Sequence, residues 1–127
     1  MKKLLMTEAF DKFRVMEIEI KREYDLNIDG KDLPYERLRP LMYQHLKGSE
    51  LPHKVRVIFK SDLSDELKER LGASPDTGVG ALVLRVQYEE GALQAVTGVS
   101  YDRFSPDKDL ENAWDKMSEA FIDGLVE

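Results

Sequence analysis

Cysteine is absent from the 127 residues, which excludes disulfides, thiolate metal sites and a cysteine nucleophile and makes a reducing compartment the simpler expectation. No segment approaches the roughly 20 consecutive apolar residues of a membrane-spanning helix. The opening MKKLLMTEAF carries two lysines, yet its apolar run stops at Met6 before Thr7 and Glu8, too short for the h-region of a signal peptide. A cytoplasmic protein without a membrane partner is therefore expected. Histidine occurs twice. His45 falls on a helical stretch beside Met42 and Leu46, and His53 follows Leu51-Pro52 with no second histidine at ligand spacing, so a zinc site is not expected. G-x-S-x-G is missing, and Gly78-Val79-Gly80 lacks the third glycine of a dinucleotide loop. Internal repeats and low-complexity stretches are missing too.

A concentrated basic face is also lacking. Residues 1 to 60 carry 13 basic and 10 acidic side chains, and residues 61 to 127 carry 6 and 15, so the net charge of -6 conceals an acidic C-terminal half. Duplex nucleic-acid binding needs clustered lysine and arginine, so nucleic acid is not an expected partner. The length fits one domain, residues 1 to 127, and 42% hydrophobic residues suffice for a real core.

What the chain does possess is period-2 alternation. In Ala81 to Tyr101, ALVLRVQYEEGALQAVTGVSY, two alternating runs flank an acidic glycine turn, and face chemistry selects the register. A three-residue loop pairs Val86 with Gln94 and mixes polar and apolar groups on both faces. A two- or four-residue loop pairs Tyr88 with Leu93, Val86 with Ala95, Leu84 with Thr97 and Leu82 with Val99. The latter predicts Leu82, Leu84, Val86, Tyr88, Leu93, Ala95 and Val99 inward, a polar patch of Arg85, Gln87 and Gln94 outward, and Gly91 at positive φ.

Val15 to Ile28 alternates equally cleanly, with Met16, Ile18, Ile20, Tyr24, Leu26 and Ile28 on one face. Fourteen residues at about 3.3 Å each exceed the width of a domain this size, so a bend or bulge near Lys21 to Glu23, or two strands joined there, is expected. Ile28-Asp29-Gly30 is read as the strand end. Helices are expected over 34 to 47, in two pieces or kinked because of Pro40, over 61 to 71 with Ser61 or Ser64 as cap and Gly72 as stop, and over 108 to 122, where Leu110, Trp114, Met117 and Phe121 form one stripe. A short helix or turn is expected within 2 to 13, a strand over 54 to 60, and a loop over 73 to 80. The fold class is α+β, an antiparallel sheet of four or five strands with three or four helices packed mainly on one face.

One motif match is complete. Asp25, Asn27 and Asp29, with Gly30 and then Glu36, satisfy D-x-[DN]-x-[DN]-G-x5-E, the calcium loop of EF-hands. Asp32 stands where such loops carry an apolar residue, Pro34 falls inside, and no sister loop exists. A strand-ending Asp-Gly turn is the favoured reading, with calcium binding as an alternative. Ser100, Asp102 and Arg103 at the hairpin exit could line a site or simply form a solvated turn.

Several stretches together, Lys3 to Phe13, Ile28 to Gly30, Arg39-Pro40, Lys47-Gly48 with Leu51-Pro52, Tyr88 to Gly91, Val96 to Gly98 and Trp114, resemble a domain-of-unknown-function family of small bacterial proteins. The members' strand carries apolar and aromatic residues where this chain has Lys21, Arg22, Glu23 and Asp25, which implies that the calcium pattern is accidental. The resemblance implies no activity, cofactor or site residues. With no convergent set of catalytic residues visible, the first expectation is a non-enzymatic binding or protein-interaction domain with no cofactor. A small-molecule-binding protein or enzyme with a pocket between the sheet and the last helix is the second, and an enzyme would need two or more titratable groups with strongly shifted pKa values there. An open strand edge could also pair in a homodimer.

Overall fold

The computed structural model describes residues 5–23, 25–47, 52–72, 78–101 and 108–126. Its strands are β1 (Arg14–Lys21), β2 (Asp25–Pro34), β3 (Lys54–Asp62), β4 (Val79–Glu89) and β5 (Ala92–Tyr101), and its helices α1 (Tyr35–Leu46), α2 (Asp65–Leu71) and α3 (Lys108–Val126). The strands form one sheet in the order β2-β1-β3-β4-β5, antiparallel at every pairing. The α+β class follows as expected. Val15, Ile18, Ile20, Val55, Val57, Phe59, Leu82, Leu84 and Val86 are buried on one sheet face against the helices. The alternate residues Glu17, Glu19, Lys54, Arg56, Arg85 and Gln87 line the other.

The β4–β5 hairpin has the register chosen by face chemistry: Tyr88 pairs with Leu93, Val86 with Ala95, Leu84 with Thr97 and Leu82 with Val99. Glu90 and Gly91 form its two-residue turn at φ 50° and 82°, the left-handed pair that matches strand twist in a tight hairpin. Leu82, Leu84 and Val86 are buried and Tyr88, Leu93 and Val99 half-buried, but Ala95 is exposed because β5 is the sheet edge and α3 does not cover it there.

The run from Val15 to Ile28 forms two strands, the second of the alternatives expected at Lys21 to Glu23; Tyr24 lies outside the described residues. Two expectations about the first half require correction. Strand β2 does not end at Gly30 but continues to Pro34 through a register break. Val15 pairs with Leu33 whereas Glu17 pairs with Asp29, with Lys31 and Asp32 at φ 53° and 56° between them. Gly30 makes this possible: a Cβ built there would sit 2.2 Å from the Val15 carbonyl oxygen. Met16 consequently swings outward, 43% exposed, while Val15 takes the buried place. The alternation pattern could not show this, because it assumes an unbroken pleat.

Helix α1 is one helix containing Pro40 rather than two pieces; at its sixth position the proline has no N–H for the Glu36 carbonyl and its ring crowds that carbonyl. Helix α2 begins at Asp65 because Ser64 caps it, its hydroxyl accepting from Leu67 N–H at 3.2 Å, while Ser61 belongs to β3; Gly72 closes it in the left-handed conformation. The helical turn before β1 is broken at Thr7, whose hydroxyl accepts from Ala9 N–H, and a 3₁₀ turn Glu8–Phe10 follows. Strand β4 begins at Val79, inside the expected loop, of which 73–77 lie outside the described residues, as do Gly48, Leu51 and 102–107.

Gly30→Ala should destabilise the fold by about 3 kcal/mol, since backbone must move to admit the methyl group. Gly124→Ala, in open space on α3, should gain about 0.5 kcal/mol. Urea midpoints at unchanged slope measure both.

Candidate functional site

Helix α3 is fastened to the sheet near both ends. The Trp114 indole N–H donates to the Val83 carbonyl at 3.0 Å. About two turns further, Phe121 meets Phe10 and Phe13 edge-on, with ring centroids 5.5 and 5.8 Å away. Between α3 and α2 this leaves a cleft of about 790 Å³, floored by Leu84 and Phe13 and walled by Leu67, Trp114, Met117, Ala120 and Phe121. The size suits a small organic ligand.

Charge is unevenly matched around the rim. Lys12, Arg70, Asp62 and Glu66 line it together with Ser61 and Ser64. Asp62 is engaged with Arg14 at 3.3 Å, whereas neither Lys12 nor Arg70 has an ion pair among the described residues. The Lys12 ammonium lies 4.3 Å from the Phe121 ring centroid and 5.3 Å from that of Phe13, a cation-π arrangement that aims it at the cleft wall. Partial burial, and secondarily the charge of Arg70, hold its pKa below the usual lysine value. Deeper in, Ser118 is 3% exposed and its hydroxyl has no hydrogen-bond partner among the described residues.

The open sheet face is a second polar surface, built differently. Glu19 forms ion pairs with Lys54 and Arg56 at 3.1 and 3.2 Å, accepting a hydrogen bond from Arg56, and Arg56 also reaches Glu17 at 3.4 Å. The hydrogen bond from Lys54 is the chief cause that holds the Glu19 carboxyl below its usual range. The expected patch of Arg85, Gln87 and Gln94 is on this face; Gln87 donates to Glu89, and Arg85 makes no ion pair among the described residues. Val96, 45% exposed, stands opposite Arg85.

The residues of the calcium pattern do not converge. Asp25, Asn27 and Asp29 alternate along β2 opposite Lys21, Glu19 and Glu17. In an extended strand successive members are about 6.6 Å apart, too far to share one ion with ligands at 2.3–2.6 Å. Asp29 instead accepts from Lys31 N–H at 2.9 Å, and Glu36 sits in the first turn of α1. Among the described residues no group of three His, Asp or Glu side chains could hold a metal. His45 and His53 lie outside the cleft, Ser100 is exposed on β5, and Asp102 and Arg103 lie outside the described residues. Lys12 and Ser118 were missed by sequence reading, because Lys12 sits in a segment with no clear period and Ser118 in a helix stripe otherwise apolar.

Fold and cleft together define an α+β domain with an antiparallel five-stranded sheet and a ligand-sized opening beneath its last helix. The chain belongs to a family of unknown function (DUF5721), whose model matches residues 31–125. That span includes both helices of the cleft but not Lys12, nor the Lys3 to Phe13 and Ile28 to Gly30 stretches of the sequence resemblance. No curated protein and no solved structure matches the chain.

Two predictions follow from these polar groups. Ser118→Ala removes a buried, unsatisfied hydroxyl and should raise stability by about 1 kcal/mol, seen as a higher melting temperature. Because Glu19 has a depressed folded pKa, its contribution is complete above the usual glutamate value of 4.5 and is lost as pH falls through the folded value. Lys54→Met should therefore flatten the fall of stability below about pH 4.5 in urea titrations at successive pH values.

Proposed function

We propose that the protein is a non-enzymatic small-molecule-binding domain that takes an amphipathic anion, apolar body inward and acid group at the rim, in the cleft between α2 and α3. The observation that carries this is the pairing of an apolar cleft with two cations, Lys12 and Arg70, that line it without an ion pair among the described residues, while of the two acids there Asp62 is engaged by Arg14 and only Glu66 is left. Like charges brought together at a partly desolvated site disfavour each other's charged form, and an anion between them reverses that penalty. The unpartnered Ser118 hydroxyl offers a hydrogen bond inside the cleft. Serines at the rim have no histidine beside them to act as base, which favours binding over hydrolysis.

Trp114 is the chain's single tryptophan and lines the cleft, so it reports occupancy directly. Titration with decanoate should change its emission saturably at one equivalent, and decanol, the same tail without the charge, should bind at least tenfold more weakly. Lys12→Ala with Arg70→Ala should erase the difference between the two ligands while leaving thermal unfolding cooperative. Equal affinity for both in the native protein, or no saturable change with either, would refute the reading.

A further inference from the structure

The two edges of the sheet are treated oppositely. The β2 edge, DLNIDGKDLP, carries Asp25, Asp29, Lys31, Asp32 and Pro34 and is broken by two positive-φ residues, the devices by which sheets discourage edge pairing. The β5 edge, ALQAVTGVSY, has no proline and no Asp, Glu, Lys, Arg or His over ten residues, and Ala95, Val96 and Gly98 on it are exposed. Glu89 and Ala92 flank the two-residue turn as a hydrogen-bonded pair, so Gln94 and Val96 also direct their backbone groups to β4. The N–H and C=O groups of Leu93, Ala95, Thr97 and Val99 then point outward, and among the described residues no strand pairs with them.

Beside this open edge α3 sets a row of acids. Asp115, Glu119 and Asp123 follow one another at i, i+4, i+8, and none has an ion pair among the described residues. Such spacing repels along a helix, and Asp123 adds a negative charge to the negative end of the helix dipole. The row flanks two small concavities between α3 and β5. One, of about 230 Å³, lies between Gly98, Val99 and Asp115, and the other, of about 280 Å³, between Ala95, Glu119 and Asp123. The Thr97 hydroxyl, hydrogen-bonded to Asp115 at 2.9 Å, divides them, and the buried Ser118 lines the second.

We propose that the groove between β5 and α3 binds an extended basic segment of another protein, which adds to β5 as a sixth strand. Main-chain hydrogen bonds to the outward groups of β5 supply the pairing, and alternate side chains enter the two concavities. Lysine or arginine at those alternate positions meets Asp115, Glu119 and Asp123, which fixes the sign of the partner. A second copy of this chain is disfavoured as occupant, because its own acidic row would come beside this one across a two-fold axis.

Fluorescence polarisation with a labelled ten-residue peptide of alternating lysine and valine tests this on the full chain. Saturable binding is expected, weakened at least tenfold by Glu119→Lys with Asp123→Lys, both exposed positions that leave the fold intact. The same peptide with glutamate for lysine should not bind. Of two analogues, N-methylated on all lysines or on all valines, one should lose binding, since only one set of amides can face β5. No binding of the lysine peptide, or equal binding of both methylated analogues, overturns the proposal. So does a dimer mass by light scattering that falls to a monomer with Val96→Lys, which would give the β5 edge to a second copy.

Discussion

The stacking of Phe10 on Phe59, ring centroids 4.6 Å apart and nearly parallel, is the contact on which the remaining architecture rests. Phe59 stands at the middle of the sheet on β3, and Phe10 belongs to the segment before β1, so the stack pulls the N-terminal turn over the sheet. Tyr35, at the start of α1, meets both rings edge-on, and its hydroxyl donates to the Leu5 carbonyl. Burial, and then the negative charge of Asp11, push the Tyr35 hydroxyl's pKa upward, so it stays a donor at any ordinary pH. Asp11 is itself held by a two-pronged bond from Arg39, at 3.2 and 3.0 Å. One aromatic stack thus fixes the N-terminal segment, α1 and, through Phe121, the far end of α3. Aromatic pairs of this kind add about 1 kcal/mol each beyond burial, and removal of the shared Phe10 ring would release several at once.

That arrangement decides where empty space is left. Helix α3 is held at Trp114 by the sheet backbone and at Phe121 by the aromatic cluster, so it crosses β4 and β5 along a set line. On one side α2 is too short, seven residues, to close over the sheet, and the cleft remains. On the other side β5 extends past the helix, and the groove remains. Lys12 reaches the cleft only because the segment carrying it is pinned between Phe10 and Phe13, which makes the position of the rim cation a by-product of core packing. The same reasoning explains why Ser118 touches both openings: it occupies the turn of α3 midway between the two anchors.

The sheet's central part was legible in the sequence and its margins were not, for a physical reason. Alternation reports burial wherever a strand is regular, and for β4 with β5 it chose the register because a one-residue slip would have placed Gln94 against Val86 on an otherwise apolar face. It failed at Met16 and Gly30, where two backbones approach so closely that only glycine fits. Closeness between distant segments leaves no periodic trace. The IDG sequence carries a turn signal in isolation, and tertiary pairing with Val15 and Arg14 overrode it. The acids of the calcium pattern met the spacing of a coordinating loop, but in extended chain that spacing separates side chains instead of gathering them. The stripe of α3 was read correctly as a core face, yet the value of its polar neighbours depends on what lies opposite, and that is a property of the fold.

Much of the local cost lies around α3. On the open sheet face Glu19, Lys54 and Arg56 form ion pairs while Arg85 has none among the described residues, and in the core the Tyr35 hydroxyl and the Trp114 indole each have an acceptor. Against that background the molecule keeps a buried serine hydroxyl without a partner, a lysine beside an arginine at a partly desolvated rim, and three acids stacked along one helix without a cation. Each arrangement costs stability in the isolated chain, and simple substitutions would relieve each. Sequences that satisfy local rules nearly everywhere break them where something other than stability is served. The first two violations line the cleft, where the proposed ligand is an anion, and the third lines the groove, where the proposed partner segment is basic. On these proposals the two sides of one helix differ in the charge they select.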